Sequence, residues 1–293
     1  MTRPIVHRAQ IAVAALLFST GGAAIKATTL NAWQLAGLRS AVAALVLWLV
    51  LPEWRRFWSP RSAAVGLAYA ATMILYVTGN KLTTAANVIF LQATAPMYLL
   101  LLGPLLLRER IRRADLLYTA TMALGMALFF VGLEEPSRTA PDPLRGNLFG
   151  AASGVTWAVT ILGLRWLGRG ARDEGHDASG AAVVAGNLLA AVICLPQALP
   201  LGGAPVADGF VVVYLGVFQI GLAYVALIRG VRHVPALEAS LLLLLEPVLA
   251  STWAWLLHGE RPGPWSLGGC AIVLAMSLRT ILAARKSLAL DPG

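Results

Sequence analysis

Glu246 stands directly before Pro247 in the middle of a long apolar run of this 293-residue sequence. If that run crosses a bilayer, an ionised carboxylate near its centre costs about 2.5–3.5 kcal/mol on insertion scales. Such a group turns to an interior, where it binds a cationic group, exchanges a proton, or stays neutral and caps a carbonyl that Pro247 leaves without a donor. Asn87, Gln92 and Gln219 sit in comparable runs. Their amides suit the charged ends of a zwitterion, and equally serve as glue between helices. Phe18, Tyr76, Tyr98, Trp157 and Tyr224 also fall inside apolar runs, away from the edges. They offer walls for a bulky apolar group, or ordinary packing. The chemistry these types support is non-covalent recognition.

Motifs for bond-making chemistry are missing. There is no G-x-x-x-x-G-K-[ST] loop and no H-E-x-x-H pair. Gly150-Ala-Ala-Ser-Gly154 is one residue out of step with G-x-S-x-G. The expectation is therefore a protein that is not an enzyme and carries no metal or cofactor. Cys194 and Cys270 lie in apolar stretches and read as small buried hydrophobes. Arg39, some seven residues into a run, is expected to snorkel to the surface, with contact to an anionic group as the alternative. Glu238 lies nearer the end of its run and reads as a snorkelling or capping residue. Glu109-Arg110 and Glu260-Arg261 read as latches or caps at helix ends.

The elements that must position these residues follow from composition. The chain is 58% hydrophobic and 13% charged, with a mean hydropathy of +0.73. Soluble domains carry about 25% charged residues, whereas a spanning helix needs about 20 mostly apolar ones. Ten spans are expected, near 9–28, 32–52, 62–81, 84–107, 114–132, 145–167, 179–199, 208–230, 235–257 and 263–284. Trp33, Trp48, Trp54, Trp58 and Trp265 flank them as interfacial anchors. The first span, with Arg3, His7 and Arg8 ahead of it, also resembles a cleavable leader; its apolar continuation to Thr28 favours a retained helix. The net charge of +9 sits in short clusters between apolar runs, which points to an anionic lipid surface and away from nucleic acid. With the N-terminus inside, 17 Lys and Arg fall on the inner side and 5 on the outer, with Arg39 inside a span. That asymmetry predicts both termini in the cytoplasm.

The sequence repeats itself. A shift of 151 residues lays Gly79 on Gly230, Lys81 on Arg232, Ala85 on Ala236, Pro96 on Pro247, Glu109 on Glu260 and Arg110 on Arg261. A weaker shift of 139 lays Phe18 on Trp157 and Lys26 on Arg165. Two units are expected, 9–132 and 145–284. Five helices is an odd number, so the units run oppositely through the membrane, and inverted repeats put a binding site near the midplane between them. Pro96 and Pro247 are expected to kink spans 4 and 9 and act as hinges.

At these residues the chain resembles the EamA-type branch of the drug/metabolite transporter superfamily. The carriers are Pro96 followed by Leu105-Leu-Leu-Arg-Glu-Arg110, Pro247 followed by Leu256-Leu-His-Gly-Glu-Arg261, the run Leu267–Ala275, and the Gly125/Gly132 spacing. Within that branch it is most similar to YddG-like amino-acid exporters. Phe18-Ser-Thr-Gly21 stands where many relatives carry Trp-Gly. The resemblance implies a multi-pass protein of the bacterial inner membrane. It would export aromatic and other neutral amino acids by alternating access, with facilitated diffusion and proton coupling through Glu246 both open. Other metabolites or drugs, and a channel, are the alternatives, and the oligomeric state stays open. The implied substrate site comprises Phe18, Tyr76, Asn87, Gln92, Tyr98, Trp157, Gln219, Tyr224 and Glu246, with Pro96 and Pro247 as hinges.

Overall fold

In hydrocarbon every backbone N–H and C=O needs a partner within the chain, and a helix provides one locally. The computed structural model describes residues 3–50, 59–107, 113–133, 135–174, 179–200, 203–231, 233–234, 239 and 242–290, and among them there is no strand. The helices are α1 (Arg3–Ser19), α2 (Gly21–Lys26), α3 (Ala32–Val50), α4 (Pro60–Leu82), α5 (Ala85–Gln92), α6 (Ala95–Leu107), α7 (Arg113–Val131), α8 (Pro143–Glu174) and α9 (Ser179–Ala198). They continue with α10 (Val206–Tyr214), a π-helical stretch Leu215–Leu222, α11 (Ala223–Val231), α12 (Leu245–His258) and α13 (Pro264–Leu290). Among the described residues seven segments are long and apolar enough to cross a membrane. These are Ile5–Lys26, Ala32–Val50, Pro60–Leu82, Ala85–Leu102, Pro143–Leu164, Gly180–Ala198 and Val206–Gly230; Leu116–Val131 is a shorter apolar helix. The expected ninth and tenth spans fall on α12, which has 14 residues, and on α13. Glu109, Arg110, Glu238, Trp54 and Trp58 lie outside the described residues.

Local sequence explains where the helices stop. Ser59 and Ser62 close a reciprocal capping box, with Pro60 in the first turn, where its missing N–H costs nothing. Between α1 and α2, Ser19 and Thr20 donate their hydroxyls to the carbonyls of Leu16 and Leu17, each at 2.7 Å. Between α5 and α6, Thr94 donates to the Leu91 carbonyl at 2.6 Å. Pro96 and Pro247 do not bend continuous helices. Each stands in the first turn of a new one, α6 and α12, because a residue with fixed φ and no N–H is suited to a helix start. The expected kinks in continuous spans are thus replaced by breaks between helices.

The packing has an internal regularity. α4 packs on α8 and α9, and α3 packs on α9. α11 packs on α1, the π stretch packs on α3, α5 packs on α8 and α12 packs on α1, while α7 packs on α13. Close approaches rely on glycine. A methyl added at Gly186 would lie 2.5 Å from Tyr69 Cδ1 and 2.8 Å from the Gly66 carbonyl oxygen, at the α4–α9 contact.

Candidate functional site

The breaks bring polar groups into an otherwise apolar interior. A chamber of about 260 Å³ is lined by Phe18 of α1, Arg39 of α3, Met73 and Tyr76 of α4, Gln92 of α5 and Trp157 of α8. Gln219 and Ile220 of the π stretch, Tyr224 and Leu227 of α11, and Leu243 and Glu246 complete the wall. A second chamber of about 380 Å³ adjoins it, sharing Gln92, Trp157, Leu243 and Glu246. Its further walls include Pro96, Tyr118, Ile161, Pro247 and Ser277. Both prolines thus border this second space, and Trp157 and Gln92 stand between the two.

Seven of the sequence-derived candidates meet in the first chamber: Phe18, Tyr76, Gln92, Trp157, Gln219, Tyr224 and Glu246. Phe18 meets Tyr224 edge-on with ring centroids 5.1 Å apart, and Tyr69 backs Tyr224 at 5.9 Å. Gln92 donates to the Ser153 hydroxyl at 3.4 Å. Gln219 occupies the π stretch, where the wider turn shifts the phase of the side chains; such bulges recur at functional sites. Gly21 admits it, since a methyl there would lie 2.8 Å from Gln219 Nε2. Glu246 has no ion-pair partner within 4 Å among the described residues.

Two candidates lie elsewhere. Asn87 is buried between α5 and α8, where its amide donates to Asn147 Oδ1 at 3.2 Å, beside the Thr83 hydroxyl that donates to the same oxygen at 2.9 Å. It joins helices and lines neither chamber. Tyr98 follows the break after α5 and directs its hydroxyl to Met126 Sδ at 3.2 Å, within the packing of α6 and α7. Arg39 is the converse. In place of snorkelling it is 1% exposed and lines the chamber. Its Nη1 reaches Gln219 Oε1 at 3.4 Å, its Nη2 reaches the Met73 carbonyl at 3.4 Å, and its Nε has no partner. The signal that could have marked it was a lone charge within an apolar span.

One end of the helices holds a buried ion pair. Lys26 Nζ lies 2.9 Å from Glu260 Oε1, with side chains 3% and 2% exposed. Lys26 also donates to the carbonyls of Thr83, at 2.8 Å, and Thr139. Glu260 Oε2 accepts from the N–H of Ala85, the first residue of α5, at 2.9 Å. The His258 ring lies 2.8 Å from the Ala23 carbonyl. A separate basic pocket of about 490 Å³, with Lys26, Lys81, Arg138 and His258 in its wall, flanks this end. At the opposite end His7 stacks on His233 with centroids 4.0 Å apart, and Arg61 covers Trp166 at 5.4 Å.

No curated protein matches the sequence. A solved crystal structure is similar to it with a TM-score of 0.59 at 21% sequence identity, covering 95% of this chain and 98% of that one, a likeness of fold alone. The profile of the EamA-like transporter family matches residues 9–131 and again 144–280. With seven segments among the described residues apolar and long enough to span a membrane, and that match over most of its length, the chain belongs to the EamA-like transporter family of multi-pass membrane proteins that carry small solutes.

Proposed function

We propose that the protein exports neutral amino acids, aromatic ones among them, across the bacterial inner membrane by alternating access. The observation that carries this reading is the first chamber. Amides of Gln92 and Gln219, a carboxylate from Glu246 and the rings of Phe18, Tyr76, Trp157 and Tyr224 converge there, polar groups for a zwitterion beside walls for its apolar side chain.

The architecture of this reading is ten spans in two inverted five-helix repeats, 9–132 and 145–284, with both termini in the cytoplasm. Two observations support it. Exchanging each span for the one five places on turns α4-on-α8 into α11-on-α1, α5-on-α8 into α12-on-α1, and α4-on-α9 into the π stretch on α3. The few basic residues Lys26, Lys81 and Arg138 gather at the end with the buried ion pair, the outer end on the charge rule.

On this reading the Lys26–Glu260 pair shuts the outer end, and rearrangement at the breaks before Pro96 and Pro247 lets the halves exchange accessibility. Glu246 is the candidate for proton coupling, since it lines both chambers with no basic partner within 4 Å among the described residues. The test is counterflow of labelled amino acids by the purified protein in liposomes. Saturable flux competed by one class of amino acid is expected, and folded protein giving no such flux overturns the substrate reading. A cytoplasm-only reporter fused after residue 293 should be active and one fused after Asp208 silent; the reverse would sink the topology.

A further inference from the structure

Arg39 presents a problem in charge balance. It lies near the middle of α3, is 1% exposed, and is the sole basic side chain among the described residues lining the first chamber. No carboxylate stands within 4 Å of it among the described residues. A buried cation is normally paired, because removal from water without a counter-charge is heavily penalised. Its existing contacts are weak: two at 3.4 Å, near the outer limit for a hydrogen bond, and one to Met73 Sδ at 3.7 Å. Nε is left with nothing. A guanidinium so placed, with Nε unpartnered and both Nη groups held only by long contacts, keeps donor capacity for a carboxylate, the group it fits through two parallel N–H···O contacts.

The rest of the chamber restricts what that anion is. Glu246 faces the same space and, when ionised, repels a dianion about twice as strongly as a monoanion, which favours a singly charged carboxylate over a phosphate ester. Gln219 holds one face of the guanidinium with its carbonyl oxygen, which leaves its NH2 free to support a bound oxygen. We propose that Arg39 anchors the carboxylate of the substrate and thereby makes a carboxylate-bearing molecule the class admitted. The proposal rests on the amino-acid reading above and adds the residue that selects for the acid end.

The test compares L-phenylalanine with L-phenylalaninamide, which keeps the ammonium and the ring but lacks the negative charge. Each competes against labelled L-phenylalanine in counterflow by the full-length protein in liposomes, for wild type, Arg39→Gln and Arg39→Lys. The wild type should prefer the acid at least tenfold, as expected for a charge-assisted contact. Arg39→Gln should weaken phenylalanine about tenfold or more while moving the amide less than about twofold, with Arg39→Lys between. A merely structural arginine would shift both compounds together. Equal competition by acid and amide in the wild type, or unchanged preference in Arg39→Gln, overturns the anchor while the amino-acid reading stands. Failure of both compounds in wild type, with the protein monodisperse, overturns both readings. If Arg39→Gln does not fold, the wild-type preference and Arg39→Lys decide.

Discussion

Replacing Glu260 with Gln alters one atom and one charge, and the surroundings make that change costly. The two carboxylate oxygens have different partners: Oε1 lies 2.9 Å from Lys26 Nζ as the ion-pair contact, and Oε2 accepts the N–H of Ala85 at 2.9 Å. An amide has one oxygen. Whichever way it turns, its NH2 faces either an ammonium or a backbone N–H, donor against donor. Lys26 keeps its bonds to two carbonyls but loses its counter-charge while remaining about 97% buried. Removing one partner of a buried pair costs about 3–5 kcal/mol, which is roughly a hundredfold or more in the equilibrium it governs. Thermal unfolding in detergent, with Lys26→Met and the double variant alongside, measures it as a cycle. Each single variant should lose stability, and the double variant should recover a large part, because two apolar or neutral groups leave no orphan charge. A Glu260→Gln protein within about 0.5 kcal/mol of wild type would refute the claim that the pair holds this end together.

Three further outcomes follow from the cavity and its supports. Gly21→Ala should weaken amino-acid binding severalfold with little loss of stability, because its methyl meets the flexible end of Gln219 at 2.8 Å; unchanged half-saturation in counterflow would contradict this. Gly186→Ala should instead destabilise by about 1–3 kcal/mol in thermal unfolding, since it strikes the Gly66 carbonyl and the Tyr69 ring, which cannot both move away. Glu246→Gln should remove any dependence of flux on a proton gradient while keeping counterflow, and gradient-driven accumulation that survives the substitution would exclude Glu246 as the coupling group.

Composition and punctuation made the all-helical membrane character legible, because 58% apolar residues and loops marked by Pro and Arg leave few other solutions. Which residues turn inward was harder to read. Most of these helices are apolar on every side, so outside α11 no amphipathic stripe marks the interior. Asn87 and Gln92 illustrate the point. Five residues apart on α5, they point about 140° away from each other at 3.6 residues per turn, so one lines the chamber and the other joins α8. Gln219 and Tyr224 have the same spacing but share the chamber, since the π stretch between them winds fewer degrees per residue. Tyr98 lies beyond the break at Ala93 and Thr94, which resets the helical phase that Gln92 established. Arg39 departs from the expected snorkelling because a long side chain near the seventh position of a span can reach water as easily as it can turn inward. Only the packing around Gln219 and Met73 decides between the two.

The eight residues of α5 form a strut about 12 Å long at 1.5 Å per residue. Its first N–H is fastened to Glu260, and its last residue, Gln92, projects into both chambers. A strut cannot be pulled at one end without shifting the other. On the proposed reading, a ligand that displaces Gln92 would load the Lys26–Glu260 pair through this rod, and such linkage is reciprocal. A ligand that tilts this rod strengthens or weakens a pair it never touches, and by the same factor Glu260→Gln must change that ligand's affinity from outside its binding space.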